Sequence, residues 1–215
     1  MKYILPRLRK FSDEVYPSHK PLFESLAAGQ KPHTLMITCS DSRIDPNLVT
    51  QTLPGELFVL RNAGNIVPPF GSSDGGEEAA IEFAIQGLGV SNIVVCGHSQ
   101  CGAMSALMGE VNLDGLPSVR RWLGHAQATR SRAIAVHGPS CKGSHAIQEN
   151  VLVQVDNLKT HPAVAAALRS GQVRMYGWVY YFESGQIAIY DKKTSTFVPS
   201  SEVTTDQSGD ERFSL

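Results

Sequence analysis

The chain has 215 residues, enough for one well-buried domain with length left for an arm or a tail. Hydrophobic residues make up 42% and charged residues 18%, as in an ordinary globular protein, and a formal net charge of −1 gives no sign of a nucleic-acid or membrane-surface binder. No apolar stretch approaches the ~18 residues of a membrane span. The N-terminal segment Met1–Arg7 lacks the apolar core of a secretory signal, so a cytoplasmic location is expected. Four cysteines do not make a disulfide scaffold in a chain of this size; in a reducing compartment they point to a metal or to chemistry.

In chain order, the first twenty residues are mixed and punctuated by Pro6 and Pro17. Ser18 and Pro21 suit a cap and a first helical turn, Leu22, Phe23, Leu26 and Ala27 give one apolar face, and Gly29 stops it. Residues 1–30 therefore read as a helical arm. Leu35-Met36-Ile37-Thr38 is a short apolar run of the kind that forms a buried strand, and it ends on Cys39-Ser40-Asp41-Ser42-Arg43. A short helix is expected over 44–49, a turn at Pro54-Gly55, and a second strand at Leu57-Phe58-Val59-Leu60, ended by Arg61-Asn62-Ala63-Gly64-Asn65.

Asp74 can cap a helix with Glu77 as its capping-box partner, and Ile81, Ala84, Ile85 and Leu88 recur at core-facing helical spacing. Gly75-Gly76 belongs to that helix start rather than to a phosphate loop, since the Gly-Lys-Ser/Thr continuation is missing. Ile93-Val94-Val95-Cys96 is a third strand, followed by the turn His98-Ser99-Gln100-Cys101. Helices are expected over 104–108, over 117–135 with a break near 125–129, along Val151, Leu152, Val155 and Leu158, and again after Pro162 until Gly171. Segments 173–181 and 186–190, joined by Glu183-Ser184-Gly185, read as a hairpin.

Strands that alternate with helices imply an α/β fold: a central, mainly parallel sheet flanked by helices, with the N-terminal arm and a late C-terminal hairpin. The reading is one domain over 1–202 and a polar, disordered tail over 203–215.

Cys39, His98 and Cys101 are the candidate metal ligands. Two thiolates and one imidazole suit Zn²⁺. His98 and Cys101 are three apart on a strand-to-helix turn, and Cys39 comes from a neighbouring strand end if the sheet is parallel. Three protein ligands leave a position for water, whose pKa zinc lowers. Asp41 can reach that fourth position, either as a hydrogen-bond acceptor or as a ligand. Arg43 can hold Asp41 in a bidentate pair that favours the ionised carboxylate.

These motifs, Cys39-Ser40-Asp41-Ser42-Arg43 with His98-x-x-Cys101-Gly102, closely resemble those of the β-class carbonic anhydrases. The resemblance continues through 54–59, Arg61-Asn62-Ala63-Gly64-Asn65, Glu82-Phe83-Ala84, 93–98 and Gly177-Trp178-Val179-Tyr180, and fades in the first few residues and the tail. It implies an enzyme that reversibly hydrates carbon dioxide to bicarbonate and a proton, by attack of a zinc-bound hydroxide, with one zinc per subunit. It implies an obligate dimer as the building block, with N-terminal helices wrapped over the partner. Asp41 and Arg43 take the catalytic positions. Gln30 falls where the partner subunit supplies a substrate hydrogen bond, and Phe58, Ala63, Phe83 and Gly102 fall at the other substrate-pocket positions. Many relatives have tyrosine where Phe83 stands.

Some members of that class close the site by binding bicarbonate near the dimer interface, and these carry tryptophan three residues before the first zinc cysteine. Met36 stands there, although Arg61 and Tyr180 match other parts of that pocket, so the open, non-allosteric type with Asp41 paired to Arg43 is expected. Two thiolates make zinc a weaker Lewis acid than three histidines do, so activity is expected to rise through about pH 7 to 9. The same site could also hydrolyse a sulfur analogue, carbonyl sulfide or carbon disulfide, or be closed in a zinc-stabilised, non-catalytic binding module; Asp41 on the metal at every pH would favour the latter.

Cys96 reads as core and Cys141 as a spectator thiol in a polar loop. His33, His125, His137, His145 and His161 read as solvent-facing, and Trp178 and Tyr180 as packing or dimer contacts.

Overall fold

The structure is a computed structural model that describes residues 1–73, 75–203 and 211–215. The capping role expected of Asp74 lies outside these residues. Residues Met1–Lys31 and Pro32–Leu215 form two compact units.

The first unit is helical: α1 (Leu5–Lys10), a π-helical turn (Phe11–Val15), α2 (Tyr16–Ser18) and α3 (Lys20–Ala27). Each of the three α-helices has proline in its first turn, where the missing N–H costs nothing. Tyr16 and Phe23 stack at 5.4 Å, and Phe11 meets Phe23 edge-on at 5.8 Å. Ser18 does not cap α3 as expected; its hydroxyl turns back to the Val15 carbonyl, and His19 takes the cap position. Tyr3, Ile4, Leu5, Leu8 and Phe11 are exposed.

The second unit is built on β1 (Thr34–Cys39), α4 (Pro46–Thr50), β2 (Leu57–Asn62), α5 (Gly76–Glu82), β3 (Asn92–His98), α6 (Gly102–Leu107), α7 (Pro117–Leu123), α8 (Gln127–His137), α9 (Gly143–Leu158), α10 (Pro162–Arg169), β4 (Arg174–Tyr181), β5 (Gln186–Asp191) and β6 (Thr196–Pro199). The strand order is β2-β1-β3-β4-β5-β6, with the first four parallel and the last two antiparallel. β1 is buried at every residue, as expected of a central parallel strand without polar alternation.

The chain leaves β1 toward β2 on one side and returns to β3 on the other. Between β1 and β3 it thus makes the reversal beside which α/β sheets bind ligands, at the carboxyl ends of the strands. Cys39 ends β1 and His98 ends β3, and the Thr38 hydroxyl donates to the Cys96 carbonyl at 2.9 Å, tying the two ends together.

One face of the sheet carries the main core, in which Leu35, Ile37, Ile93, Val95 and Met175 pack under the helices. α9 lies close to β3 and β4 because glycines face it. A β-carbon on Gly97 would stand 3.0 Å from Val151 Cγ2, and one on Gly177 would stand 2.9 Å from Val151 Cγ1. The other face holds a smaller cluster of Met36, Ile44, Val94 and Cys96, with Tyr176, Trp178 and Tyr180 packed against it.

Two expectations are corrected, the disordered chain end and the solvent-facing His161. The chain end is not a disordered tail at residues 211–215: β4 pairs with β5 only from Trp178 onward, and the Leu215 N–H takes the Met175 carbonyl at 2.8 Å. Phe213 is buried there, and Arg212 donates to Asp191 at 2.8 Å. His161 is buried, with Nε2 bonded to the Pro68 carbonyl at 3.0 Å, and Cys141 is buried as well. α9 begins at Gly143, well before Val151, and β6 adds a strand that sequence pattern did not suggest.

Candidate metal centre

Cys39, His98 and Cys101 are all buried, and their Sγ and ring-nitrogen atoms lie within 4.8 Å of one another. The His98 ring is oriented by a 2.8 Å bond between Nδ1 and the Ser99 carbonyl, which places the proton on Nδ1. Nε2 is buried and has no hydrogen-bond partner. A buried ring nitrogen without a partner is costly unless something completes it.

The neighbouring Cys101 side chain first, then His98 and the Gly64 N–H at 3.3 Å, hold Cys39 well below the usual cysteine range. The neighbouring Cys39, then burial, pushes Cys101 up. Burial alone would lower His98, but Cys39 and the Ser99 carbonyl outweigh it and raise it. Two cysteine sulfurs and an orphaned imidazole nitrogen are the donor set that a borderline-soft, four-coordinate cation takes. The residues fit a metal ion.

Asp41 and Arg43 stand beside this cluster. Arg43 donates from Nε to Asp41 Oδ1 at 2.9 Å and from Nη2 to Oδ2 at 2.7 Å, and its backbone N–H also reaches Oδ1 at 2.9 Å. These bonds, Arg43's side chain first, hold the Asp41 carboxyl well below the usual carboxylate range. Oδ2 lies 3.9 Å from His98 Nε2, so the carboxylate is next to the cluster while committed to arginine.

The loop that carries Asp41 is pinned from below. Arg61 donates from Nε to the Cys39 carbonyl at 3.0 Å and from Nη2 to the carbonyls of Asp41 and Ile44 at 2.8 and 3.0 Å. Gly64, at φ +87°, is held by Asn150, whose Nδ2 donates to its carbonyl at 2.9 Å. Asn150 is itself fixed by Thr129 and Gln154 in a buried polar network.

Of the expected pocket residues, Phe58 and Phe83 face each other with ring centroids 6.0 Å apart. Gly102 opens α6 directly after Cys101, with nothing within 4 Å of where a β-carbon would stand. Ala63 is exposed, and its carbonyl accepts from Trp122 Nε1 at 2.8 Å. Gln30 belongs to the first unit and is exposed.

Sequence reasoning missed Gln100, Phe182 and Glu183, which touch Arg43 or one another, and Asn150 and Trp122, which hold the 63–64 turn. Gln100 lies inside the His98-to-Cys101 motif and could have been asked what it faces; the other four carry no local signal.

A buried two-sulfur, one-imidazole cluster at the switch point of a mostly parallel sheet, flanked by an Asp–Arg pair, defines an α/β protein with side chains grouped as metal ligands are. The sequence model of the carbonic anhydrase family matches residues 34–187. A carbonic anhydrase of Synechococcus elongatus is 48% identical over 200 residues, covering 91% of this chain and 73% of its own. One from Pseudomonas aeruginosa is 47% identical, covering 94% and 93%. The solved structure of the β-carbonic anhydrase CcaA superposes with a TM-score of 0.88 at 43% identity, over 93% of this chain and 98% of that one. The chain belongs to the β-class carbonic anhydrases.

Proposed function

We propose that Cys39, His98 and Cys101 hold one zinc ion per chain and that the site hydrates carbon dioxide reversibly to bicarbonate and a proton. The observation that carries this reading is the orphaned Nε2 of buried His98, facing two sulfurs, with a carboxylate held 3.9 Å away by Arg43. Zinc, when bound, supplies a Lewis acid that makes water nucleophilic near neutral pH.

The chain's own residues do the rest. Asp41, kept ionised by Arg43, would accept a hydrogen bond from a nucleophile at the fourth position and so orient it. Arg43 restrains Asp41 from taking that position itself. Phe58 and Phe83 form an apolar wall for a small, uncharged substrate, and Ala63 and Gly102 leave it room. Phe83 has no hydroxyl, so it contributes shape alone.

In this reading Gln30 completes the pocket of a second copy, and the helical arm packs on that copy, which the exposed Tyr3, Ile4, Leu8 and Phe11 support. A dimer is then the smallest active form. Among the described residues no helix is long and apolar enough to cross a membrane. The four cysteines are free thiols, which fits the reducing cytoplasm.

The test is stopped-flow carbon dioxide hydration with metal analysis of the wild type, Asp41→Ala and Cys101→Ala. Metal loss is expected only in Cys101→Ala and loss of rate in both, with wild-type activity rising through about pH 7 to 9. Full activity of Cys101→Ala without metal, or a flat pH profile, would contradict the proposal.

A further inference from the structure

Arg43 is a long side chain, 47% exposed, and Asp41 is held only as firmly as Arg43 is. Three contacts from outside the Cys39–Arg43 motif hold the guanidinium. The Phe182 ring lies beneath it, 4.6 Å from Cζ to the ring centroid. Nη1 donates to Gln100 Oε1 at 3.3 Å, and Nη2 donates to the Gln100 carbonyl at 3.1 Å.

Gln100 is in turn an unusual anchor. Its backbone sits in the left-handed region, at φ +55°, where a non-glycine residue stays only if its surroundings fix it. A glutamine amide can present either its oxygen or its NH2. Here Nε2 donates to Glu183 Oε1 at 2.6 Å, and that bond turns the oxygen toward Arg43. The other Glu183 oxygen accepts from the Ser99 hydroxyl at 2.8 Å, and the Ser99 oxygen accepts from the Phe182 N–H at 2.9 Å. The Ser99 N–H reaches the Tyr180 carbonyl at 2.8 Å. The turn after β4 is thus bonded to the same four-residue turn that carries His98 and Cys101.

Glu183 is an acceptor at neutral pH. Its own N–H, then Ser99 and Gln100, hold its carboxyl below the usual glutamate range. Resting on the metal-centre reading above, the geometry points to Glu183 as a positioning residue of the carbonic anhydrase site. From the β4–β5 turn it orients Gln100, Gln100 anchors Arg43, and Arg43 keeps Asp41 off the fourth metal position.

The test uses the zinc-loaded protein carrying Glu183→Ala, Gln100→Glu, or Gln100→Glu together with Glu183→Gln. Hydration rate, metal content, thermal midpoint and crystal structure are measured for each. Glu183→Ala is expected to keep its metal and its midpoint, to lose about fivefold in kcat/KM, and to show Asp41 released from Arg43. Gln100→Glu alone sets two carboxylates against each other and is expected to be slow as well. The paired exchange keeps the acceptor facing Arg43 and restores an amide-to-carboxylate bond between the two side chains, so it recovers most of the rate.

Wild-type kcat/KM in Glu183→Ala, or a paired exchange as slow as Gln100→Glu alone, would overturn the assignment. Loss of metal or an early midpoint in Glu183→Ala would also overturn it, by making the residue a structural prop. A metal-loaded wild type with no hydration activity would instead overturn the functional reading itself.

Discussion

Replacing Asn150 with alanine probes the network behind the centre, far from any surface. Asn150 is 1% exposed. It donates to the Gly64 carbonyl at 2.9 Å and accepts from Thr129 Oγ1 at 3.0 Å and from Gln154 Nε2 at 2.9 Å. Truncation removes all three bonds, at about 1 kcal/mol net each. The Gly64 carbonyl also loses its side-chain donor inside the protein, which adds ~1–2 kcal/mol. Gln154 Nε2 keeps Thr129 Oγ1 at 3.3 Å, which caps the loss on that side.

The total comes to roughly 3–5 kcal/mol, a large share of the about 5–15 kcal/mol that holds a typical domain folded. The consequence reaches the metal centre, because the N–H of Gly64 bonds Cys39 Sγ. Metal affinity should fall about 10- to 100-fold, as for other losses of a group that orients a ligand. Urea unfolding of the chelated protein measures the first effect without metal linkage, and competition with a chelator measures the second. A stability loss below about 1 kcal/mol with unchanged metal affinity would show that the network does not support the turn.

Two further outcomes follow from packing and charge. Gly177→Ala drives a β-carbon to 2.9 Å from Val151 Cγ1, so β4 and α9 must separate; thermal unfolding should show a loss of about 1–3 kcal/mol, and an unchanged midpoint would refute the tight contact. Arg212 holds the Asp191 carboxyl well below its ordinary range, so the clasp stabilises the fold above the unfolded value of about 3.9 and weakens as pH falls toward the folded one. The gap in urea midpoint between wild type and Arg212→Ala should therefore be full near about pH 6 and narrow below about pH 4; a gap independent of pH would refute it.

The parts that could be read from sequence were those in which local pattern and chemistry coincide. Cys39, His98 and Cys101 end apolar runs or begin a helix, and a parallel sheet must bring such ends together. What escaped depends on contacts between distant segments. Glu183 looks like any turn residue, and only the reach of the hairpin brings it to Gln100. His161 looked solvent-facing because no partner for it stands nearby in sequence; its partner, the Pro68 carbonyl, comes from another loop. Phe213 and Leu215 sit in a polar stretch; Phe213 is buried and Leu215 partly so, where β5 stops short and leaves the Met175 carbonyl open. β6 is short and never fully buried, so it lacks the alternation that marks an ordinary strand.

The most direct measurement is anomalous diffraction at the zinc edge from crystals of the active protein at about pH 8, paired with its hydration rate in the same buffer. One peak per chain is expected, about 2.3 Å from the sulfurs of Cys39 and Cys101 and about 2.0 Å from His98 Nε2, with Asp41 still bonded to Arg43. An active protein with no peak among these three residues, or with Asp41 bound to the metal while the rate is maximal, would contradict it.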